Sequence, residues 1–197
     1  MHPLLKRFHR ISGIVIATFL VLHLSNHLFA LGGPDLHIRV MKLLRPVYRF
    51  PPVEILLMLC VLMQVLSGLS LVITNKFYRK PYYVFIQVAT GLYLSFFMIY
   101  HVRAVLMGRY LWHTDTNFFF AAGVANRYPE KLFFIPYYTL SLVCAFAHIA
   151  CIHYIKRKEQ LTGGSIIKRE LLFISIGGSI ITLLIMLSLT GVFYPIR

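Results

Sequence analysis

Five long apolar stretches follow one another along the chain, separated by short connectors that contain Pro, Gly and basic residues. A helix needs about 20 mostly apolar residues to cross the hydrocarbon core of a bilayer, and five stretches reach that length. They cover residues 11–31, 52–74, 82–107, 132–155 and 171–194. No connector has the character of an interdomain linker. The pattern therefore predicts an all-α integral membrane protein in which residues 1–197 form a single bundle of five transmembrane helices.

The composition fits a surface that faces lipid. Hydrophobic residues make up 58% of the chain and charged residues only 13%, whereas a soluble domain carries about 25% charged residues. The formal net charge of +14 comes from 20 Lys and Arg against 6 Asp and Glu. Because these basic residues lie between the apolar stretches, they favour contact with membrane lipid head groups and not with nucleic acid.

The placement of the basic residues also predicts an orientation. Five spans put the two termini on opposite sides of the membrane, with eleven Lys and Arg on the N-terminal side and nine on the other. The eleven are grouped in short clusters at residues 6–10, 76–80, 156–158 and 168–169. Clusters beside helix ends weigh most in the positive-inside rule. We therefore expect the N-terminus in the cytoplasm and the chain in the cytoplasmic (inner) membrane.

Polar side chains inside the apolar stretches point to a function, because ionisable groups are costly in hydrocarbon and are rarely placed there without a role. The candidates are His23, Asn26 and His27 in the first span, Gln64 in the second, His101 in the third, and His148 and His153 in the fourth. The fifth predicted span contains none.

An internal repeat links the first and third spans. Ser12-Gly13 precedes His23 by the same spacing as Thr90-Gly91 precedes His101. Both spans run in the same direction, so ten residues of helix place both imidazoles at one depth, about 15 Å beyond their glycines. Two imidazoles at one level can bind a haem iron from opposite faces, and the glycines would let a flat macrocycle approach. The alternative is that each histidine makes a hydrogen bond across the bundle.

The second and fourth spans run in the opposite direction and carry Gln64 and His148 in the half nearer the N-terminal side. A second haem between these spans would need histidine at both positions, and glutamine is a poor iron ligand. A second haem with His148 as one ligand is therefore one of three interpretations. A polar quinone pocket and a plain interhelical hydrogen bond are the others.

Four residues near these positions each have more than one interpretation. His27 follows His23 by one turn on the same helix face and is an alternative ligand. Glu54 opens the second span, where it either takes protons from a quinol or is a plain interfacial carboxylate. Arg10 and Arg103 flank the histidine helices, and they either pair with haem propionates or a quinone carbonyl or extend to the lipid head groups.

Two connectors have the character of membrane-surface segments. Residues 35–49 mix basic and apolar residues at helical spacing and are predicted to lie along the interface. Residues 110–129 contain Trp112 and Phe118–Phe120, which are typical of the aromatic belt. Neither connector carries a catalytic signal.

Short motifs at these positions resemble one family of membrane proteins. Residues 86–91 (IQVATG), leading to His101, are similar to the haem-ligand helix of the membrane-anchor cytochrome b of succinate:quinone oxidoreductases, the succinate dehydrogenases and fumarate reductases. Residues 9–13 (HRISG) resemble the opening of that family's first helix, and residues 54–68 resemble its second helix in the spacing of Glu, Gln and Gly. His148 falls where the fourth helix has its ligand. The closest form is the single-chain, five-helix, di-haem type.

The resemblance implies a function. His23 and His101 would bind the b-type haem nearer the outer face, while Gln64 departs from the family pattern at one ligand of the haem nearer the inner face. The family's anchors hold a flavoprotein and an iron–sulfur subunit on the cytoplasmic face and pass electrons between the iron–sulfur chain and membrane quinone. The chain would then be the electron-transfer subunit of an oxidoreductase complex and would not oxidise succinate alone.

Two other classes of protein stay open at this point. One is a haem-free transporter or structural membrane protein, in which the histidines pack or relay protons. The other is a di-metal membrane enzyme, for which His23 and His27 would supply one element of the metal site.

Overall fold

The computed structural model describes residues 3–74, 77–160 and 164–196, and in these ranges the chain forms seven α-helices and no β-strand. The helices are α1 (Pro3–Leu28), α2 (Pro34–Tyr48), α3 (Pro51–Thr74), α4 (Tyr82–Tyr110), α5 (Phe118–Asn126), α6 (Lys131–Gln160) and α7 (Gly164–Leu189). Short 3-10 turns follow α1 at Phe29–Gly32 and precede α4 at Phe77–Arg79. Lys76, a member of the second basic cluster, lies outside the described residues.

Five of these helices are long and apolar enough to cross a membrane: α1 with the turn after it, α3, α4, α6 and α7. The predicted all-α bundle with five membrane helices is confirmed, and the chain is a multi-pass membrane protein. The first helix is longer than its predicted span, since α1 begins at Pro3. Leu, Lys and Arg are good helix formers, so the helix continues beyond the part that hydropathy assigns to lipid.

The fifth span differs most from its prediction. It covers Gly164–Leu189 instead of residues 171–194. Beyond Leu189 the chain turns, with Gly191 at a φ of 73°, a left-handed conformation that glycine adopts at helix ends without strain. Asn126 of α5 donates a hydrogen bond to the carbonyl of Leu189 at 2.9 Å and completes this helix end. The assignment of residues 190–194 to a membrane helix was therefore wrong.

The early start of α7 brings a carboxylate against the end of α6. Glu170 accepts hydrogen bonds from His153 Nε2 and from Arg157 Nε, both at 3.0 Å. These residues lie at the end of the bundle where α1 begins, which we name the proximal end. The opposite end, where α1 finishes, is the distal end.

The five membrane helices form a ring. The packed pairs are α1–α3, α3–α4, α4–α6, α6–α7 and α7–α1, so α1 and α4 face each other across the ring. This arrangement matters for function, because α1 and α4 carry the two halves of the internal repeat.

The helices α2 and α5 lie outside the ring at the distal end. Phe118 of α5 belongs to one buried cluster with Ile185 and Leu189 of α7. At 2% exposed, Phe118 is part of the core, so its assignment to the aromatic belt was wrong. Trp112 is exposed, as a belt residue would be.

Close packing of α6 against α7 depends on Gly178. A Cβ at this position would stand 2.5 Å from Cγ and 2.7 Å from Cβ of Phe146, atoms at the root of the side chain that have little freedom to move. We expect Gly178→Ala to lower the free energy of unfolding in detergent by about 1–3 kcal/mol, the usual cost of overpacking. Denaturant or thermal unfolding followed by circular dichroism measures the change.

Gly177 provides the matched control for this substitution. A Cβ at Gly177 meets nothing within 4 Å, so Gly177→Ala should be neutral or should stabilise the helix by up to about 1 kcal/mol through its higher helix propensity. Equal stability of the two alanine variants would contradict the packing of Phe146 on α7.

Candidate functional site

His23 of α1 and His101 of α4 meet across the helix ring. Their ring centroids lie 6.1 Å apart and their planes cross at 73°. A bound imidazole nitrogen lies about 2.0–2.1 Å from its metal, so two imidazoles on opposite sides of one iron have centroids roughly 6 Å apart. The separation of the two rings therefore fits a metal-centred group held from both faces.

Each of these imidazoles stacks on a phenylalanine one helical turn earlier. The centroids of Phe19 and His23 lie 5.6 Å apart with 22° between planes, and those of Phe97 and His101 lie 5.1 Å apart with 15°. Side chains four residues apart share a helix face, so the same spacing gives the same stack twice. The repeat thus extends beyond Gly and His to Phe. Sequence reasoning missed it because 16 phenylalanines are spread through the apolar chain.

A cavity of about 440 Å³ opens beside His23, between α1, α2 and α3. Most of its lining is aliphatic, and the side chains there with polar atoms are Thr18, His23, Asn26 and Tyr48. Such a lining suits a largely apolar molecule that carries a few polar groups.

Two more histidines continue from this pair toward the distal end. The His27 ring lies 4.9 Å from that of His23, and the His37 ring lies 5.2 Å from that of His27. His23, His27, His37 and His101 together form the distal cluster. His37 is 3% exposed, and its ring contacts Phe118 edge-on at 5.3 Å.

His37 comes from a segment that the sequence assigned to the membrane surface. In the fold, α2 buries His37 and Met41, which lie four residues apart on one helix face. That spacing was a signal, but a single His–Met pair among basic and apolar residues does not distinguish a buried face from a lipid-facing one. The prediction that residues 35–49 lie along the interface therefore did not anticipate that one face of α2 is buried against the bundle.

Asn26 of α1 pairs with His37 of α2, and each of these two side chains has one polar atom without a hydrogen-bond partner among the described residues. Asn26 Nδ2 lies 3.1 Å from His37 Nε2, and both residues are buried. Among the described residues, Asn26 Oδ1 and His37 Nδ1 have no hydrogen-bond partner, and an unpaired buried polar group costs about 1–3 kcal/mol. Burial, and after it the proximity of His23, lowers the pKa of His37 to about 4. The ring is therefore neutral at pH 7.

A second polar layer lies nearer the proximal end, with Gln64 of α3 in one half. Gln64 Nε2 donates to the backbone carbonyl of His9 and, at 2.8 Å, to Ser12 Oγ. A Cβ on Gly13 would stand 3.2 Å from the same nitrogen, so this glycine makes room for the amide. The His9 ring, which was not a candidate, has its Nδ1 2.8 Å from Ser67 Oγ.

The other half of this proximal layer contains His148 of α6. Its Nδ1 lies 2.9 Å from the backbone carbonyl oxygen of Gln87 and 3.2 Å from Thr90 Oγ1. A Cβ on Gly91 would stand 3.1 Å from His148 Cε1. Both repeat glycines therefore face the proximal layer and not the level of the distal imidazole pair.

The two halves of the proximal layer correspond atom by atom. In each half one side-chain nitrogen bonds to the hydroxyl of the Ser/Thr-Gly motif and to the carbonyl three residues before it. The contact of Gln64 with α1 is thus equivalent to the contact of His148 with α4. The pairs α1–α3 and α4–α6 are two parallel copies of one helix pair, an internal symmetry that is common among membrane proteins.

Glu54 belongs to a third polar site, at the distal end of a groove between α3 and α4. It forms an ion pair with Arg109, whose guanidinium lies 4.9 Å from the centroid of the Tyr110 ring. The groove has a volume of about 500 Å³, and beyond Glu54 and Tyr110 its lining is apolar, with Met58 and Leu62 among the residues. Sequence reasoning had identified Glu54 but not its partner Arg109.

Arg10 and Arg103 are exposed and stay apart from the imidazole pair. Arg103 follows His101 by two residues, which places it on the opposite side of α4. Arg10 precedes His23 by thirteen residues, about 20 Å of helix. Of their two interpretations, extension to the lipid head groups fits these positions.

The distal cluster offers two imidazoles whose ring centroids lie 6.1 Å apart, a cavity beside one of them, His23, and an incomplete polar pair. In the described part of the chain, no group of three or more His, Cys, Asp and Glu side chains is arranged to hold a metal ion directly. No family model, no curated protein and no solved structure matches this chain.

Proposed function

We propose that the chain is the membrane-anchor cytochrome b of a complex similar to the succinate:quinone oxidoreductases. In this role it binds one b-type haem and relays electrons between an iron–sulfur subunit and membrane quinone. The observation that carries the proposal is the 6.1 Å separation of the His23 and His101 rings across the helix ring. The resemblance of residues 9–13 and 86–91 to helices of that family supports the same function.

The residues of the distal cluster have defined tasks in this proposal. A b-type haem, when bound, supplies a reversible one-electron carrier. His23 and His101 would hold its iron, and Phe19 and Phe97 fix the planes of the two imidazoles by stacking. The aliphatic walls of the adjoining cavity exclude water, so the surrounding protein dipoles set the local electrostatics.

The hydrogen bonds of the proximal layer favour one haem per chain over two. Gln64 and His148 each use a side-chain nitrogen in hydrogen bonds to the neighbouring helix, which is one of the three interpretations that the sequence left open. The position in α3 that corresponds to His148 is Gln64. Because glutamine is a poor iron ligand, α3 supplies no second ligand for an iron at His148.

The groove at Glu54 is the proposed quinone site. Its apolar walls suit an isoprenoid tail, while Glu54, Arg109 and Tyr110 gather polar atoms at the distal end for the quinone oxygens. Glu54 would take one of the two protons that a quinol releases on oxidation, and the ion pair with Arg109 holds the carboxylate in place.

Removal of this carboxylate gives a direct test of the quinone site. We expect Glu54→Gln to slow reduction of the bound haem by a short-chain quinol by up to about 10²-fold, because an amide cannot act as a general base. Glu130→Gln is the control, since Glu130 pairs with Arg127 in the connector before α6. Stopped-flow absorbance at the α-band measures both rates, and equal rates would remove Glu54 from the quinone site.

The basic residues suggest the side on which partners dock. Lys and Arg gather at the proximal helix ends, in residues 6–10, 79–80, 156–158 and 168–169. By the positive-inside rule this end faces the cytoplasm. An iron–sulfur subunit and a flavoprotein would dock there, with the chain in the cytoplasmic membrane.

A reduced-minus-oxidised visible spectrum of the purified chain tests the main proposal. After expression with ample haem, we expect a b-type α-band corresponding to about one haem per chain, because His23 and His101 together would hold one iron. A flavoprotein should accompany the chain from native membranes. A spectrum without the band would overturn the proposal and favour a haem-free transporter or structural protein. Stoichiometric metal without haem would favour the di-metal enzyme.

A further inference from the structure

We infer that Asn26 and His37, with the neighbouring His27, form a polar subsite that binds the carboxylate side chains of the haem. The inference rests on the proposed function and extends it from the iron to the edge of the macrocycle. It gives a role to the buried Asn26 and His37 and to the half-buried His27, which iron ligation by His23 and His101 leaves unused.

The Asn26–His37 pair leaves an N–H group without an acceptor in either orientation of the amide. With Asn26 Nδ2 donating to His37 Nε2, the neutral imidazole carries its proton on Nδ1, which has no partner among residues 3–74, 77–160 and 164–196. With the amide turned over, Asn26 Oδ1 accepts from Nε2–H, and the NH₂ group takes the place of the unpaired oxygen. A buried N–H is therefore available to an acceptor in both cases.

This polar pair adjoins the space beside the proposed iron ligand. Asn26 and His23 both line the cavity of about 440 Å³, and His37 adjoins it through its contact with Asn26. His27 lies between the two sites, with its ring 4.9 Å from that of His23 and 5.2 Å from that of His37. The subsite, formed by α1 and α2, therefore adjoins the proposed iron ligand His23.

The chemistry of the cavity selects the ligand group. Its other lining residues are mostly aliphatic, so a carboxylate that enters loses its hydration and needs N–H donors in exchange. Hydrogen bonds to a charged acceptor are shorter and stronger than those between neutral groups. A quinone offers only neutral carbonyl oxygens and would gain less from the same donors. The combination of aliphatic walls and an adjoining buried N–H fits a largely apolar molecule with a carboxylate substituent.

A comparison of the affinities for haem and for its dimethyl ester distinguishes carboxylate binding from iron ligation, because the ester keeps the iron and the macrocycle but lacks the carboxylates. The full-length chain, purified without haem, is titrated with ferric protohaem IX and with ferric protohaem IX dimethyl ester, and the Soret band gives each dissociation constant. We expect the wild-type chain to bind the acid about tenfold or more tightly than the ester, the effect of one charge-assisted hydrogen bond.

The double variant Asn26→Leu/His37→Phe should bind both haems within about twofold of each other, since the donors are gone. Its affinity for the ester should stay at the wild-type value, which also shows that the variant is folded. His37→Gln keeps an N–H group and should keep most of the preference for the acid. Thr139→Val, in α6 and outside the lining of this cavity, should keep all of it, since the Thr139 hydroxyl bonds to the Ile135 carbonyl of its own helix.

Several outcomes would overturn the subsite. Equal binding of acid and ester by the wild-type chain would do so, as would a full preference in the double variant. If the double variant bound neither haem, His37→Phe compared with His37→Gln would decide, and equal preferences in these two would count against the subsite. A wild-type chain that bound neither haem would instead overturn the proposed function, and the subsite with it.

Discussion

Replacing either His23 or His101 with alanine is expected to remove the b-type α-band from the purified chain almost completely. The ring centroids of the two imidazoles lie 6.1 Å apart on different helices, so the proposed haem would need both residues to hold its iron, and neither residue could replace the other. Loss of an outer partner of a metal ligand already costs 10–100-fold in affinity, and loss of the ligand itself should cost more than about 100-fold. The haem-to-chain ratio and the reduced-minus-oxidised spectrum measure the effect.

The same substitution at other histidines provides controls. His153→Ala should keep the full band, because His153 bonds to Glu170 at the proximal end. His27→Ala should also keep the band if His23 is the ligand. A band that is lost in His27→Ala and kept in His23→Ala would identify His27 as the ligand. A band kept in both His23→Ala and His101→Ala would contradict the proposal that these two residues hold the haem iron.

The five membrane helices could be predicted because a bilayer demands long apolar runs, and each run is visible without knowledge of its neighbours. Their ends could not be predicted with the same accuracy. The end of α7 depends on the turn at Gly191 and on the hydrogen bond from Asn126 of α5. Hydropathy reports contact with lipid, whereas a helix end depends on where its last backbone groups find partners.

The meeting of His23 and His101 could be anticipated because both lie in regular helices of one direction, where spacing fixes depth. The pairing of Asn26 with His37 could not. Gly33, at a φ of 100°, turns the chain from α1 into α2 and brings the two side chains together. The four-residue spacing of His37 and Met41 indicates a helix face but not what that face packs against, so the burial of His37 follows only from tertiary packing.

The correspondence between the two halves of the proximal layer was hidden by chain length. Ser12 and Thr90 are 78 residues apart, whereas Gln64 and His148 are 84 residues apart. Because the connectors differ in length, no single offset aligns both pairs. The hydrogen bonds reveal the equivalence, and they identify Gln64 as the position where the internal symmetry lacks an imidazole.

Gln64→His is therefore expected to raise the haem content from about one to about two per chain. Gln64 Nε2 now bonds to the His9 carbonyl and to Ser12 Oγ. An imidazole at this position can make the same bonds through Nδ1, as His148 does with α4. Its Nε2 is then free to bind iron, which gives the proximal layer the two histidines that a bis-imidazole site requires.

The controls for this gain follow from the same symmetry. Gln64→His/His148→Leu should return to one haem per chain, because the second site needs an imidazole from both helix pairs. Gln64→Leu should also hold one haem, since it removes the amide and adds no ligand. Pyridine haemochrome assay against protein concentration gives the ratios, and redox titration should resolve two potentials in Gln64→His alone. One haem in Gln64→His would contradict the equivalence of Gln64 and His148. Two haems in the wild-type chain would mean that His148 shares a haem iron with another residue, and His9 is the nearest candidate in the proximal layer.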